Sequence, residues 1–298
     1  MNLGVIGLGS MGYGMAASLL RAGHRVWGGD VNREAVARLQ TEGGSRQDLA
    51  EAAAELDALV IVVLNADQTE EVLFGQNSMA SRLRKGCVVI CCVTVAPDFA
   101  RAMEKRCASQ GLLYLDAPIS GGSVKAAQGK LSIMASGSAE AFAAARPVLD
   151  ATAEAVFELG DAAGAGSAMK AVNQMLAGVH IAAMAEAITF GISQGVAPET
   201  FLEVIPRCAG TSWMLENRAP HVVEGDYTPH SAINIWPKDL GIVLDSARQV
   251  GFSAPLTATA LQQFAAAADM GLGREDDAAV AKVYAKQAGL TLPAKKGK

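Results

Sequence analysis

A glycine-rich turn near the start of the chain constrains its fold most strongly. The apolar run 3–6 is followed by Gly7-Leu8-Gly9-Ser10-Met11-Gly12 and then by a segment with helical spacing of apolar residues. A second short apolar stretch, 26–27, leads to Asp30, which lies 18 residues after Gly12. This order of strand, glycine turn, helix, strand and acidic residue predicts a dinucleotide-binding βαβ unit of the Rossmann type.

Each position in that pattern has a physical task. Gly7 permits a tight turn, Gly9 lets the backbone approach a pyrophosphate, and Gly12 lets the helix lie close to the strand. The helix N-terminus offers N–H groups to the phosphates. The Asp30 carboxylate can accept hydrogen bonds from the ribose of NAD and would repel the extra phosphate of NADP, although Arg33 leaves some tolerance for NADP. We therefore predict that 7–12 and Asp30 bind NAD.

The rest of the chain divides into two compositional halves. Apolar runs at 58–64, 88–90 and 112–115 alternate with helical segments, which predicts a doubly wound, mostly parallel sheet. From residue 163 onward the pattern is almost entirely helical and begins with a long apolar helix, 166–194. We predict an α/β Rossmann domain at 1–162 and an all-α domain at 163–298 that serves the substrate and oligomerisation.

Composition argues against several other classes of protein. The net charge is −5, without a basic stripe interleaved with aromatic residues, so a nucleic-acid partner is not expected. The longest apolar segment carries Lys170 and Glu186, and we do not expect it to cross a membrane. The five cysteines form no CxxC pair and the histidines form no metal-binding motif, so we expect a reduced cytoplasmic protein without a metal.

Three loops follow predicted strands, at the sheet edge where open α/β folds bind ligands. They contain Leu64-Asn65, Thr94 and the segment Asp116-Ala-Pro-Ile-Ser120-Gly121-Gly122. In the last of these, a serine hydroxyl and the backbone N–H groups of two glycines could hold a substrate carboxylate. An ordinary Pro/Gly turn would have the same composition.

Two lysines are candidates for proton transfer. Lys170 and Asn173 share one face of the long helix among apolar neighbours, and burying a lysine is costly. Burial and a second cation lower the pKa of an amine, so a lysine at such a position can accept a proton. Lys238, followed by Asp239, is a candidate for that second cation. The alternatives are a lysine extending to solvent at a domain edge and a solvated pair at a helix start.

Together these motifs resemble the β-hydroxyacid dehydrogenases, a family that includes 3-hydroxyisobutyrate dehydrogenase and tartronate semialdehyde reductase. The resemblance extends almost from end to end and implies a Rossmann domain, a helical domain built around one long interdomain helix, and a homodimer or homotetramer. It further implies that Lys170 is catalytic and that Asn173 helps to hold the substrate. By the same resemblance, 120–122 hold the carboxylate, and Thr94 and Lys238 lie near the nicotinamide.

Two departures from the family pattern are present. The usual Asp-x-Ser-Thr at one strand end is Cys91-Cys92-Val93-Thr94, and the usual Leu-Pro of an earlier loop is Leu64-Asn65. Within the family, several stretches resemble the L-threonate dehydrogenases, in which the common Asn-Asn pair is Asn-Gln, as at 173–174 here. A sugar acid needs further polar partners, for which Ser123, His180 and Ser212 are candidates.

The sequence thus predicts NAD-dependent oxidation of a short hydroxy acid, with L-threonate as the expected substrate and its 2-oxo acid as the product. Lys170 would accept the hydroxyl proton. The alternatives are a 3-hydroxyisobutyrate dehydrogenase, a tartronate semialdehyde reductase, or a protein that binds NAD(P) without catalysis.

Overall fold

The computed structural model describes residues 1–295. The strands are β1 (Asn2–Ile6), β2 (Arg25–Gly29), β3 (Ala58–Ile61), β4 (Val88–Cys91), β5 (Leu113–Asp116), β6 (Ile119–Ser120), β7 (Leu131–Ala135) and β8 (Ala153–Glu158). The first helices are α1 (Gly12–Arg21), α2 (Arg33–Thr41), α3 (Ala66–Phe74), α4 (Pro97–Ser109), α5 (Gly122–Gln128) and α6 (Ala139–Thr152). The later helices are α7 (Ala165–Ser193), α8 (Pro198–Val204), α9 (Trp213–Glu224), α10 (Ile235–Gln249), α11 (Pro255–Ala267) and α12 (Ala281–Ala288).

The first five strands form one parallel sheet in the order β2-β1-β3-β4-β5. Every residue of β3 and β4 is buried, because helices cover both faces of the sheet. Successive residues alternate between two cores: Val60 and Ile90 belong to one, whereas Leu59 and Val89 belong to the other. This arrangement confirms the predicted α/β Rossmann class.

A second, three-stranded sheet follows in the order β6-β7-β8 and mixes an antiparallel with a parallel pair. The two-residue β6 and the short α5 were not expected from the sequence, since neither has a readable hydrophobic period. Between α2 and β3, residues 49–56 form only a single 3₁₀ turn, at Ala53–Glu55. The side chain of Asp48 accepts a hydrogen bond from the N–H of Ala50 at 2.8 Å, which competes locally with helix formation.

The helices from α7 onward form the predicted all-helical part. Ile181, Met184 and Ile188 of α7 belong to a core that also contains Trp236 and Phe264. The last two rings stack with centroids 5.4 Å apart. By length and composition α7 could also cross a membrane, with a mean hydropathy of 1.6, and 39% of that apolar window is buried within the protein.

The described chain separates into two compact units, Met1–Lys170 and a second unit that begins at Ala171. The division falls within α7, so this one helix contributes residues to both units. The predicted domain boundary between residues 162 and 163 stays a prediction.

Candidate functional site

The glycine turn has the geometry that close approach of a phosphate requires. Gly7 has a φ of +92°, and a Cβ there would lie 2.5 Å from the carbonyl oxygen of Val62. A Cβ on Gly12 would lie 1.9 Å from the carbonyl oxygen of Gly7, so α1 can begin against the turn only with glycine. At Gly9 no atom lies within 4 Å of a Cβ position, which leaves its backbone open. These features fit a dinucleotide pyrophosphate at 7–12.

Asp30 follows β2 directly and is tied to the glycine turn. Its Oδ2 accepts a hydrogen bond from the N–H of Leu8 at 2.6 Å, and its Oδ1 accepts one from the N–H of Asn32 at 2.7 Å. Each carboxylate oxygen keeps a second lone pair for a ribose hydroxyl. The carboxylate therefore shapes the turn as well as offering acceptors to a ligand.

A cleft of about 560 Å³ lies beside this turn within the N-terminal unit. It is lined by the turn, by α1, by α2 with its N-cap and by α5: Leu8, Gly9, Ser10, Tyr13, Gly14, Asn32, Glu34, Ala35, Arg38, Ser123 and Ala127. The Arg38 guanidinium lies 4.2 Å from the centroid of the Tyr13 ring. Sequence reasoning missed Tyr13 and Arg38, because their contact depends on how α1 and α2 pack. Ser123, by contrast, was a sequence candidate.

The loop after β3 shows what replaces the proline of the family pattern. Asn65 caps α3, because its side-chain oxygen accepts a hydrogen bond from the N–H of Gln68 at 2.9 Å. The side chain of Gln68 in turn accepts a hydrogen bond from the N–H of Leu64, also at 2.9 Å. Leu64 is 56% exposed and presents an apolar surface beyond the sheet edge. Thr94 follows β4 and is half-buried.

The segment 120–122 joins β6 to α5. Gly121 and Gly122 both have positive φ angles, +132° and +76°, which L-residues with side chains rarely adopt. A Cβ on Gly122 would meet no atom within 4 Å. Residues with side chains would be strained at positions 121 and 122, and the backbone at Gly122 is open to its surroundings. These properties suit a loop that offers N–H groups to an anion.

The start of α7, which carries Lys170, is held by a buried carboxylate. Asp116, at the end of β5, accepts hydrogen bonds from the N–H groups of Gly164 (2.9 Å) and Ser167 (2.8 Å) and from the Ser167 hydroxyl (2.7 Å). The Ser136 hydroxyl accepts a hydrogen bond from the N–H of Gly166 at 2.9 Å. These contacts satisfy N–H groups that a helix start leaves unpaired. Lys170 follows Ser167 by three residues and is buried, 8% exposed.

Four polar side chains in the C-terminal unit form a continuous chain. The Asn173 amide donates to Gln174 Oε1 at 2.9 Å, and the Gln174 amide donates to Asp239 Oδ2 at 2.5 Å. Lys238 Nζ lies 2.7 Å from Asp239 Oδ1. Gln174 and Asp239 are buried, whereas Asn173 and Lys238 are partly exposed. The network fixes the two partly exposed groups, which are the two that the sequence proposes for ligand binding.

Other sequence candidates have local structural roles. The Ser212 hydroxyl caps α9 by accepting a hydrogen bond from the N–H of Leu215 at 3.0 Å. His180 is half-buried on α7. Four cysteines are buried, Cys208 is exposed, and all five are free thiols. Burial raises the pKa of the Cys91 thiol to about 11, so this group in the sheet is inert at neutral pH.

Two family models cover most of the chain. Residues 2–160 match the NAD binding domain of 6-phosphogluconate dehydrogenase. Residues 164–284 match the model described as NAD-binding of NADP-dependent 3-hydroxyisobutyrate dehydrogenase. The chain therefore has the two parts of an NAD(P)-dependent dehydrogenase.

Curated relatives match over nearly the full length. An L-threonate dehydrogenase of Cupriavidus necator is 50% identical over 295 residues, which cover 99% of this chain and 98% of the relative. The L-threonate dehydrogenase of Escherichia coli K12 is 46% identical over 297 residues, with 99% and 97% coverage. A 3-hydroxyisobutyrate dehydrogenase of Pseudomonas aeruginosa is 37% identical, with 95% and 98% coverage.

Solved structures agree with this relationship. A crystal structure of a 3-hydroxyisobutyrate dehydrogenase from Salmonella typhimurium is 46% identical and superposes with a TM-score of 0.90, covering 95% of this chain and 99% of that one. The resemblance inferred from the motifs is confirmed. This chain belongs to the β-hydroxyacid dehydrogenase family of NAD(P)-dependent oxidoreductases, the family of 3-hydroxyisobutyrate dehydrogenase.

Proposed function

We propose that this protein oxidises L-threonate to its 2-oxo acid with NAD⁺. The observation that carries the proposal is the pattern of identity: relatives described as L-threonate dehydrogenases share 45–50% of residues over essentially the whole chain. The Pseudomonas 3-hydroxyisobutyrate dehydrogenase shares 37%. The Asn173–Gln174 pair, which resembles the Asn-Gln pair of the L-threonate dehydrogenases, supports the same substrate group. Gln174 bonds to Asp239 and to Asn173, and so holds Asn173 in place.

In the proposed reaction, the Lys170 amine takes the proton of the substrate hydroxyl as that carbon becomes a carbonyl. The nicotinamide of NAD⁺, when bound, supplies the hydride acceptor. Asn173 orients the hydroxyl, and the Ser120 side chain with the N–H groups of Gly121 and Gly122 holds the carboxylate. Fixing the hydroxyl against a desolvated amine supplies much of the rate, because the reacting groups no longer have to be brought together or stripped of water.

We further propose that NAD is preferred over NADP. The negative carboxylate of Asp30 lies at the end of β2, where an adenosine ribose contacts this fold. A 2′-phosphate placed there would be repelled. The remaining cofactor residues of the proposal are those of the glycine turn, Leu64 and Asn65 at the adenosine side, and Thr94 and Lys238 near the nicotinamide. The ratio of kcat/KM for NAD and NADP, in the chain and in Asp30→Asn, measures this preference.

A cytoplasmic homodimer or homotetramer is the expected state. α7 exposes large apolar side chains, with Val172 and Leu176 each 52% and Phe190 65% exposed, and such surfaces favour association. Free, buried cysteines suit a reducing compartment. Sedimentation equilibrium of the purified chain measures the mass directly.

The decisive experiment follows NADH formation by absorbance with a panel of L-threonate, D-erythronate, 3-hydroxyisobutyrate, D-glycerate and tartronate semialdehyde, the last assayed for reduction. A selective signal with L-threonate supports the proposal. A stronger signal with 3-hydroxyisobutyrate, the substrate in the name of the Salmonella structure, would retain the family chemistry and replace the substrate. NAD binding without turnover of any member would support a non-catalytic protein.

The role of Lys170 has its own test. Lys170→Ala should lower kcat by about 10²–10⁴-fold, the usual contribution of a positioned general base, with NAD affinity nearly unchanged. The exposed Lys130 of the same unit provides the control variant Lys130→Ala, which should keep full activity. Turnover by Lys170→Ala close to that of the control would exclude Lys170 as the base.

A further inference from the structure

Two imidazoles and a carboxylate converge in the C-terminal unit, and the proposed dehydrogenase chemistry does not use them. His221 lies in the last turn of α9, His230 in the loop that follows, and Asp276 at the N-cap of the 3₁₀ turn Asp277–Val280 that precedes α12. One ligand atom from each lies within 4.8 Å of the others. His221 Nδ1 is 3.5 Å from Asp276 Oδ1, and the two imidazole rings meet edge to face with centroids 4.7 Å apart. This group is hereafter the His-His-Asp cluster.

The local charges leave one carboxylate without a full partner. Asp276 and its neighbour Asp277 are both completely buried. The Arg218 guanidinium binds Asp277 through two nitrogens, while its nearest nitrogen lies 3.9 Å from Asp276. One guanidinium thus faces two buried carboxylates, and an unbalanced charge in the interior is costly. A cation held between Asp276 and the imidazoles would remove that imbalance.

The backbone holds the carboxylate in place before any ligand binds. Asp276 Oδ2 accepts a hydrogen bond from the N–H of His230 at 2.8 Å, and Oδ1 accepts one from the N–H of Ala278 at 3.1 Å. Two further backbone bonds join the His230 loop to this segment: the N–H of Asp276 donates to Tyr227 (3.0 Å), and the N–H of Asp277 donates to Ser231 (2.8 Å). Each carboxylate oxygen keeps a lone pair. The geometry is therefore that of a preformed ligand rather than of a mobile surface group.

We propose that the His-His-Asp cluster binds one divalent transition-metal ion of the Zn²⁺ class. Two imidazole nitrogens and one carboxylate oxygen are ligands that Zn²⁺ prefers, at roughly 2.0–2.2 Å. Because His230 is exposed, its side chain can move inward to meet such distances and solvent can supply a fourth ligand. The ion would join α9, the 226–233 loop and the 275–277 segment. The sequence gives no sign of it, since His221, His230 and Asp276 match no metal-binding spacing.

Calorimetric titration of the chelator-treated full-length protein with Zn²⁺ alone tests the proposal, and Co²⁺ provides a visible spectrum that reports nitrogen and oxygen ligation. His230→Ala removes an exposed ligand, so the variant should fold. His24→Ala is the matched control, because His24 lies 3.4 Å from the N-terminal amine and is the natural site of adventitious binding. Unfolding temperatures of each protein with and without Zn²⁺ give a second readout.

We expect one Zn²⁺ per chain, a higher unfolding temperature with Zn²⁺, and unchanged binding in His24→Ala. Losing a second-shell group typically costs metal sites about 10–100-fold in affinity, so loss of a ligand in His230→Ala should cost at least about tenfold. Equal binding by His230→Ala and the unmodified chain, or loss of binding in His24→Ala instead, would overturn the proposal. Absence of any Zn²⁺ binding would also overturn it.

Discussion

Asp116 anchors the helix that carries the proposed base, and removing its side chain should have a large and specific effect. In Asp116→Ala, the N–H groups of Gly164 and Ser167 lose their acceptor in a region that excludes water. The Ser167 hydroxyl also loses its acceptor, but it can rotate toward another one. The two backbone donors cannot, because the start of α7 fixes their direction.

The magnitude follows from these two donors. Each buried N–H left without a partner costs about 1–3 kcal/mol, which gives about 2–6 kcal/mol for the pair. Burial raises the pKa of Asp116, although hydrogen bonds from Ser167, Gly164 and Ser136 oppose that shift, so the ionised carboxylate carries a desolvation cost. The alanine variant does not have this cost, and part of the loss is therefore recovered. We expect a net loss of about 2–4 kcal/mol in the free energy of unfolding. For a unit of this size the corresponding fall in Tm is roughly 4–16 °C.

Differential scanning calorimetry measures the transition of the N-terminal unit, and Asp116→Asn is the matched control. The amide keeps one oxygen for the two N–H groups and turns its NH₂ toward the Ser167 hydroxyl, which can accept. We expect the amide variant to lose less than half as much stability as the alanine variant. Equal losses in both would show that the charge of Asp116, rather than the number of acceptors, holds α7, and an unchanged Tm in Asp116→Ala would refute the reasoning altogether.

Three further predictions concern the turn, the polar network and pH. Gly12→Ala places a Cβ 1.9 Å from a backbone carbonyl oxygen, so the turn must move. NAD affinity, measured by fluorescence titration, should fall at least about tenfold, or 1.4 kcal/mol. The control variant Gly241→Ala, with open space around its Cβ, should bind NAD normally. Gln174→Asn shortens the side chain by one methylene and removes the hydrogen bond that the buried Asp239 accepts. The free energy of unfolding, measured with denaturant, should fall by about 1.5–3 kcal/mol, and the KM for the hydroxy acid should rise. An unchanged unfolding midpoint would contradict the network. The pKa of Asp116 is raised in the folded state, so its stabilising contribution is complete below the ordinary carboxyl pKa and declines as the pH rises through the pKa of the folded state. The Tm advantage of the unmodified chain over Asp116→Asn should therefore be largest in acid. A Tm difference that stays constant between acid and neutral pH would exclude the raised pKa.

The class of fold was predictable because its signals are local. Buried parallel strands such as β3 and β4 are continuous apolar runs, and α7 is a long helix with few interruptions, so short windows of sequence contain enough information. The glycine turn was predictable for the same reason, because its backbone requirements exclude side chains at fixed positions. Short elements with little hydrophobic surface, such as β6 and α5, gave no such signal.

The supports of the candidate site were not predictable, because they join residues that are distant in sequence. Asp116 and Ser167 are separated by 51 residues, and Gln174 and Asp239 by 65, so only the tertiary fold determines that they meet. The sequence nevertheless contains a usable sign of both contacts. A carboxylate that closes an otherwise apolar strand, or one that follows a lysine within a helical apolar pattern, must find donors if it is buried. Asp116 and Asp239 both fit this description in the amino-acid sequence, although their partners cannot be read from it. Their substitution is therefore more informative than that of the exposed polar candidates, because a buried carboxylate has no water to replace the donors that the fold provides.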